Sequence, residues 1–154
     1  MLISRSIIFP IILFVILQPV SAASNADALH TAAKAGNTAD VKKLLNAGLS
    51  VDTRDYKGNT PLMTAATAGH TDVVKLLLEK GAKINTRDDL GNTPLEHATW
   101  TDNLATIDLL ISKGADVHAK NKIGTTPLWG AVTSAHAEVV KVLLKYGADP
   151  NVPN

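Results

Sequence analysis

The sequence predicts an all-α solenoid, a rod of stacked helix–turn–helix units forming one domain. Three observations predict it. Gly58-Asn59-Thr60-Pro61-Leu62 recurs as Gly91-Asn92-Thr93-Pro94-Leu95 and as Gly124-Thr125-Thr126-Pro127-Leu128, 33 residues apart both times. Gly81-Ala82 recurs at the same interval as Gly114-Ala115 and Gly147-Ala148. Between these signatures the apolar residues fall at helical spacing. A fixed period of this length marks a repeat architecture. Nine of the ten glycines occupy a repeat slot, Gly130 being the exception, so the 154 residues leave no room for a separate catalytic domain.

The first element is an address. Met1–Ser6 carries one positive charge, Arg5, and Ile7–Leu17 is an almost unbroken apolar run. Gln18 and Pro19 break any helix, and Val20-Ser21-Ala22 puts small or modest residues where a signal peptidase reads. This order predicts a secretory signal peptide over residues 1–22, cut after Ala22 or after Ala23. A membrane anchor would need about 20 apolar residues; this run is shorter and has Pro10 inside it. A lipid anchor would need a cysteine, and the chain has none. The mature domain, residues 23–154, is therefore expected to work outside the cytoplasm. No Asn-x-Ser/Thr sequon occurs, which favours a bacterial periplasm over a glycosylating route, with release from the cell as the alternative.

Four units follow, at about 25–57, 58–90, 91–123 and 124–154. Counting back 33 residues from Gly58 gives Asn25, and Leu29, Ala32, Ala33, Gly36, Leu44, Leu45 and Gly48 fall into matching slots. The second unit shows the logic. Thr60 is placed to N-cap a helix, and Pro61 at the first helical position costs no hydrogen bond. The helix Pro61–Ala68 is expected to end at Gly69, which tolerates the left-handed conformation. A second helix, about Thr71–Lys80, carries Val73, Val74, Leu76, Leu77 and Leu78 and stops at Gly81. Ala82–Leu90 is polar and turn-rich. One helix pair cannot bury its apolar stripe alone, so neighbours must stack. The third unit departs most: Thr99 replaces the second alanine and Asp102 the inner-helix glycine, which predicts a looser turn.

The ends are also legible. Two outer-helix slots hold Val73 and Leu76, then Thr106 and Leu109, then Val139 and Val142, but Asp40 and Lys43 in the first unit. Burying charges there would be costly, so these slots face the preceding unit and the first unit is an N-terminal cap. In the last unit Leu144 stays apolar. The tail Asp149–Asn154 is expected to fold over it; exposure, or contact with a partner or second copy, are the alternatives.

The pattern resembles the ankyrin repeat family, over about residues 25–154. The resemblance rests on Gly-Asn-Thr-Pro-Leu, Ala65-Ala66, Gly69-His70, Asp72-Val73-Val74-Lys75-Leu76-Leu77-Leu78 and Gly81-Ala82-Lys83-Ile84-Asn85. It implies L-shaped units with hairpin-like loops projecting to one side. It also implies non-catalytic protein binding through the loop tips and the concave inner-helix face. His70 and His136 share a slot where the family keeps a histidine for hydrogen bonding between turns, and His30 fills another.

Catalytic and cofactor chemistry finds no support. There is no thiolate, no Gly-x-Gly-x-x-Gly, no Gly-x4-Gly-Lys and no His-Glu-x-x-His around Glu96-His97. Loops such as Asp52–Gly58 lack alternating ligands and a closing glutamate, so calcium is unsupported. Ser134 and His136 lie two residues apart with no positioned acid. No cofactor or metal is expected, and no enzyme; a small metal-dependent or serine hydrolase is the distant alternative. The net charge of +1 falls to zero once Arg5 is removed with the leader, which argues against nucleic-acid binding.

By the resemblance, contacts map to the loop tips Arg54, Tyr56 and Lys57, then Arg87, Asp89 and Leu90, then Lys120, Lys122 and Ile123, with Asn59, Asn92 and Thr125 beside them. Inner-helix slots add Lys34, Thr67, Trp100, Thr101 and Thr133. Tyr56, Arg87, Leu90 and Trp100 are expected to form a mixed apolar–basic patch, since Trp, Tyr and Arg dominate interface hot spots. Two readings stay open for Trp100: a contact residue, or a ring packed sideways over the loosened third unit. Trp129 is expected to be partly buried core. The reading that results is an exported adaptor or inhibitor, monomeric when free, that binds a folded envelope or secreted protein. A secreted effector that engages a host protein is the alternative.

Overall fold

The computed structural model describes residues 22–151, and of these the side chains of 22–24 are not described. The expected signal peptide and most of its cleavage site lie outside the described residues. Eight helices run in order: α1 (Ala22–Lys34), α2 (Thr38–Asn46), α3 (Pro61–Ala68), α4 (Thr71–Glu79), α5 (Pro94–Thr99), α6 (Leu104–Ser112), α7 (Pro127–Thr133) and α8 (Ala137–Lys145). No strand occurs among the described residues. Consecutive helices pair as α1·α2, α3·α4, α5·α6 and α7·α8. The odd-numbered helices stack as an inner layer and the even-numbered as an outer one. The architecture is the all-α solenoid that the 33-residue period predicts. Among the described residues no helix is long and apolar enough to cross a membrane.

Local chemistry sets the helix starts. The hydroxyls of Thr60, Thr93 and Thr126 accept the amides of Met63, Glu96 and Trp129, and a proline follows each threonine. The first unit has no Thr-Pro pair, and α1 is the longest helix, at 13 residues. Gly69 closes α3 in the left-handed conformation, at φ 72°. The third unit's turn is looser, as its sequence predicts. Asp102 does not adopt a positive φ. The turn is held by long bonds, from Trp100 N to His97 O at 3.4 Å and from Thr101 N to Ala98 O at 3.3 Å.

The core is a ribbon between the two layers, built from Leu29, Leu62, Leu95 and Leu128 on the inner helices and Val41, Val74 and Ile107 on the outer. Val73, Thr106 and Val139 are fully buried against the preceding unit, whereas Asp40 and Lys43 are exposed. That is the pattern expected of an N-terminal end face. Thr106 replaces an apolar residue in that slot. Its hydroxyl shares a 2.8 Å bond with Thr71 of the preceding outer helix, so burying it leaves no polar group unpaired.

Side chains also tie the inner layer together. His70 Nε2 meets Lys34 O at 2.9 Å, Asn103 Nδ2 donates to Gly69 O, and His136 Nδ1 meets Thr99 O at 3.1 Å. The three residues share one slot, and each reaches back to the preceding unit. This is the inter-turn bonding expected for His70 and His136.

Two expectations about the C-terminal end need correction. As far as Asn151 the tail does not cover Leu144, which stays exposed. Trp129 is not core: it too is exposed, with no further helix pair against α7 and α8 among the described residues.

Candidate functional site

The loops between units are built around one residue each. Asp55 Oδ1 accepts the amides of Lys57 and Asn59, both at 2.8 Å, and Oδ2 accepts the Asn59 side chain at 2.9 Å. Asp88 repeats this with the amides of Leu90 and Asn92. Asn121 does the same with Ile123 and Thr125. Each loop closes as a hairpin-like turn through a backbone pair, such as Asp55 N to Asn59 O. Adjacent loops join edge to edge, Asp89 N donating to Lys57 O at 3.1 Å and Lys122 N to Leu90 O at 2.9 Å. The tips therefore form one continuous rim rather than separate fingers.

Between this rim and the inner helices of the first three units lies an open groove of about 840 Å³. Tyr56 and Leu90 stand on the rim, 87% and 67% exposed, and Trp100 at the end of α5 also lines the groove. The indole packs on the His97 ring with centroids 4.4 Å apart, and part of it still faces solvent. Trp100 thus packs on His97 beside the loosened turn and also lines the groove. Lys34 and Lys57 supply the positive charge and Asp55, Asp88 and Asp89 the negative.

Below the groove lies a buried polar network that the sequence reading did not find. His97 Nε2 lies 3.0 Å from Asp88 Oδ2, which also accepts the Asn92 side chain. His97 Nδ1 lies 2.9 Å from Thr67 Oγ1 on the neighbouring inner helix. Burial holds the His97 ring below its usual pKa, against the pull of Asp88. A neutral ring with its proton on Nε2 donates to Asp88, and its Nδ1 shares the single Thr67 hydroxyl proton with Met63 O. Burial alone would raise Asp88, but hydrogen bonds from Asn92 and His97 hold its carboxyl low.

This hydroxyl–imidazole–carboxylate order has the connectivity of an acyl-transfer triad. The rest of such a site does not surround it. Thr67 Oγ1 is also 3.0 Å from Met63 O, and the amides just beyond it, of Gly69 and His70, are already given to Ala66 O and Ala65 O. No free backbone donors converge there to stabilise an oxyanion. The three residues tie α3 to α5 and to the second loop. Among the described residues no three His, Asp or Glu side chains gather to hold a metal.

Glu96 is the second buried feature. It occupies the slot of His30, Met63 and Trp129, is 3% exposed, and points across the junction to the fourth unit. Its Oε1 accepts the Asn121 amide at 2.9 Å and the Thr125 hydroxyl at 3.2 Å, while Oε2 has no partner. Burial pushes its pKa up to about 7. A residue with no period-mates of its type was the available signal.

The residues expected at a partner interface divide by position. Tyr56, Lys57, Asn59, Asp89, Leu90, Asn92 and Trp100 line the groove. Asn92 needs correction as a contact residue, because it is 3% exposed and its side chain is spent on Asp88 and Asn121. Arg54 and Arg87 are clamps: Arg54 donates to Gly58 O and Arg87 O, and Arg87 donates to Gly91 O and Lys120 O. The basic part of the expected patch is thus Lys34 and Lys57, not Arg87. Thr101 is half-buried and donates to Ala98 O. Lys120, Lys122 and Ile123 are exposed on the last loop, outside the groove. Asp55, Thr64, Ala68, Asp88 and His97 line the groove and were not expected there.

A family model of ankyrin repeats (three copies) is similar to this chain over residues 11–88, 29–121 and 89–154. No curated protein matches the chain closely enough to count as a relative.

Proposed function

The chain belongs to the ankyrin repeat family, and from that premise we propose that it is an exported adaptor or inhibitor that grips a folded protein in the concave groove. Ankyrin repeats are protein-binding modules, and family members are typically non-catalytic. One observation carries the finer reading. Tyr56, Leu90 and Trp100 leave large apolar surface in water along one groove, although only 4% of the chain is aromatic. Removing such rigid surface from water is the main source of interface affinity. Lys57 adds a cation beside that surface, its ammonium 5.3 Å from the Tyr56 ring centre. Export rests on the leader alone: Arg5, the apolar run Ile7–Leu17 and the small residues up to Ala22. A periplasmic destination fits the absence of sequons, and fractionation separates it from release into the medium.

The test is capture from the envelope fraction of the native host with the full chain as bait. Leu90→Ser and Tyr56→Ala change exposed side chains and are expected to leave the fold intact by circular dichroism. Each is expected to lower recovery of the specific partner at least about tenfold, the effect of removing one hot spot. Equal recovery by both variants would remove the groove as the binding surface.

A further inference from the structure

His97 is where three parts of the groove meet. Its Nε2 lies 3.0 Å from Asp88, the residue that forms the second loop, and its Nδ1 lies 2.9 Å from Thr67 on α3. The Trp100 indole packs on its ring, with 4.4 Å between centroids, and still partly faces water. In the fourth unit the same slot holds Gly130, so no side chain from that slot grips the indole.

The hydrogen bonds fix where protons can go. Asp88 takes four N–H donors: the amides of Leu90 and Asn92 on Oδ1, and the Asn92 side chain and His97 on Oδ2. A carboxyl so filled has no place for a proton of its own, so His97 Nε2 donates in either charge state. Nδ1 is the open position. Thr67 Oγ1 also lies 3.0 Å from Met63 O. With Nδ1 bare, two acceptors compete for one hydroxyl proton. With Nδ1 protonated, the ring donates to Thr67 Oγ1 and the hydroxyl donates to Met63 O. Each donor then has its acceptor, and no heavy atom has to move. His30 is the contrast: its Nδ1 likewise lies 2.9 Å from a threonine hydroxyl, that of Thr64, but its Nε2 bonds to no carboxylate.

We propose that His97 is a proton-operated positioning residue of the groove: a proton taken up at Nδ1 turns the Thr67 bond around and fixes Trp100 and the second loop more firmly. The Asp88 contact becomes an ion pair, and the indole gains a charged neighbour whose ring centre is 4.4 Å from its own. Surrounding groups set the window. Burial is the largest influence; it opposes the charge and keeps uptake on the acid side of histidine's ordinary range, while Asp88 on the second loop and Asp55 on the first favour it. Neither α3 nor α7 carries a charged side chain. On the second loop Arg87 is spent on Gly91 O and Lys120 O, and Asp89 is exposed. Glu96 on α5 bonds to the fourth unit, and Asp102 and Asp108, on the turn and outer helix that follow, are exposed. Lys34 on α1 and Lys57 on the first loop line the groove. Trp100 belongs to the apolar surface on which the proposed docking role rests, so on that reading partner binding follows acidity through His97.

Nitrogen NMR of the labelled full chain from about pH 8 to about pH 4.5 tests this. A Glu96→Gln background removes the adjacent carboxyl that titrates in the same range. His97 is expected to keep its Nε2 proton throughout and to gain one on Nδ1. The Trp100 indole N–H and the Leu90 and Asn92 amides are expected to shift with the same midpoint, and nitrogen relaxation should show the indole growing more rigid in acid. His97→Gln should leave these signals flat while the helical signal persists. Thr67→Val removes the acceptor for the new N–H and is expected to lower the midpoint by about one pH unit, and Thr67→Ser to restore it. A raised or unchanged midpoint in Thr67→Val would overturn the inference, and so would a Trp100 signal indifferent to the His97 titration. None of these measurements needs a partner, so failure here is distinct from failure of the groove to capture one.

Discussion

At the scale of single residues, Glu96 has the largest consequence. Its carboxyl sits near pKa 7 in the folded chain against 4.5 in the unfolded one. Between those values the folded state binds the extra proton. The stability this group contributes is complete below pH 4.5 and is lost as pH rises through 7. Asp55 and Asp88 act in the opposite direction. Their carboxyls are held low by hydrogen bonds that outweigh burial, so their contribution disappears in acid. His30 and His97, kept below 6.5 by burial, also lose theirs as pH falls. Stability therefore peaks between the two limbs, and Glu96 sets the alkaline one. Glu96→Gln keeps the acceptor for Asn121 and Thr125 and removes the charge. Urea unfolding should show the parent losing about 2 kcal/mol between pH 5 and pH 9 that the variant keeps. Parallel pH profiles would mean that Glu96 reaches water in the folded state.

At the scale of the elements, the turn between inner and outer helices uses one slot in two ways. Gly36 and Gly69 sit there at φ 72°, and a Cβ on either would also press within 3 Å of the His70 or Asn103 side chain of the next unit. Ala135 keeps the left-handed backbone, at φ 59°, in the fourth unit, after which no further helix pair stands among the described residues. Asp102 has left that conformation altogether. Glycine should therefore have opposite effects at the two sites. Ala135→Gly relieves strain and is expected to stabilise by about 1 kcal/mol. Asp102→Gly relieves none, frees the unfolded chain and is expected to cost about 0.5–1 kcal/mol. Thermal denaturation of the pair decides it, and a shift of the same sign in both would be inconsistent with two turn geometries. What was legible in the sequence follows the same division. Thr60, Pro61 and Gly69 act on their own few residues, so the start and end of α3 could be read from the chain. Arg54 and Arg87 spend their guanidinium groups on carbonyls 33 residues onward. That commitment belongs to the stack, and reading each tip alone made them contact residues. Asn92, Glu96 and His97 were misplaced or missed for the same reason: their partners lie in another loop or on another helix.

At the scale of the whole rod, cooperativity depends on its junctions, because each unit touches only its neighbours. The last junction differs from the others in kind. In the first and second loops the turn-forming residue is an aspartate, Asp55 or Asp88, and in the third it is Asn121. The amide keeps the turn through Oδ1 and sends its Nδ2 back to Asn92 at 2.9 Å and Glu96 at 2.9 Å. An aspartate there would keep the turn, lose both donations and set a second carboxylate against an already buried one. Asn121→Asp is thus expected to weaken the bond between the third and fourth units while sparing the rest, by about 2–3 kcal/mol. The repeat model converts that local loss into a change of mechanism. The parent is expected to unfold in a single transition, and the variant to release α7 and α8 first and melt the remaining units later. Two resolved steps in urea, the first reported by the exposed Trp129 and the second by Trp100 on its His97 face, would show the uncoupling. Combining the change with Glu96→Gln lets the new amide donate to the new carboxylate, and the single transition should return in large part. If Asn121→Asp alone melted as cooperatively as the parent, the junction would be held by its apolar contacts, and the Asn121–Glu96 bond would be incidental to the integrity of the rod.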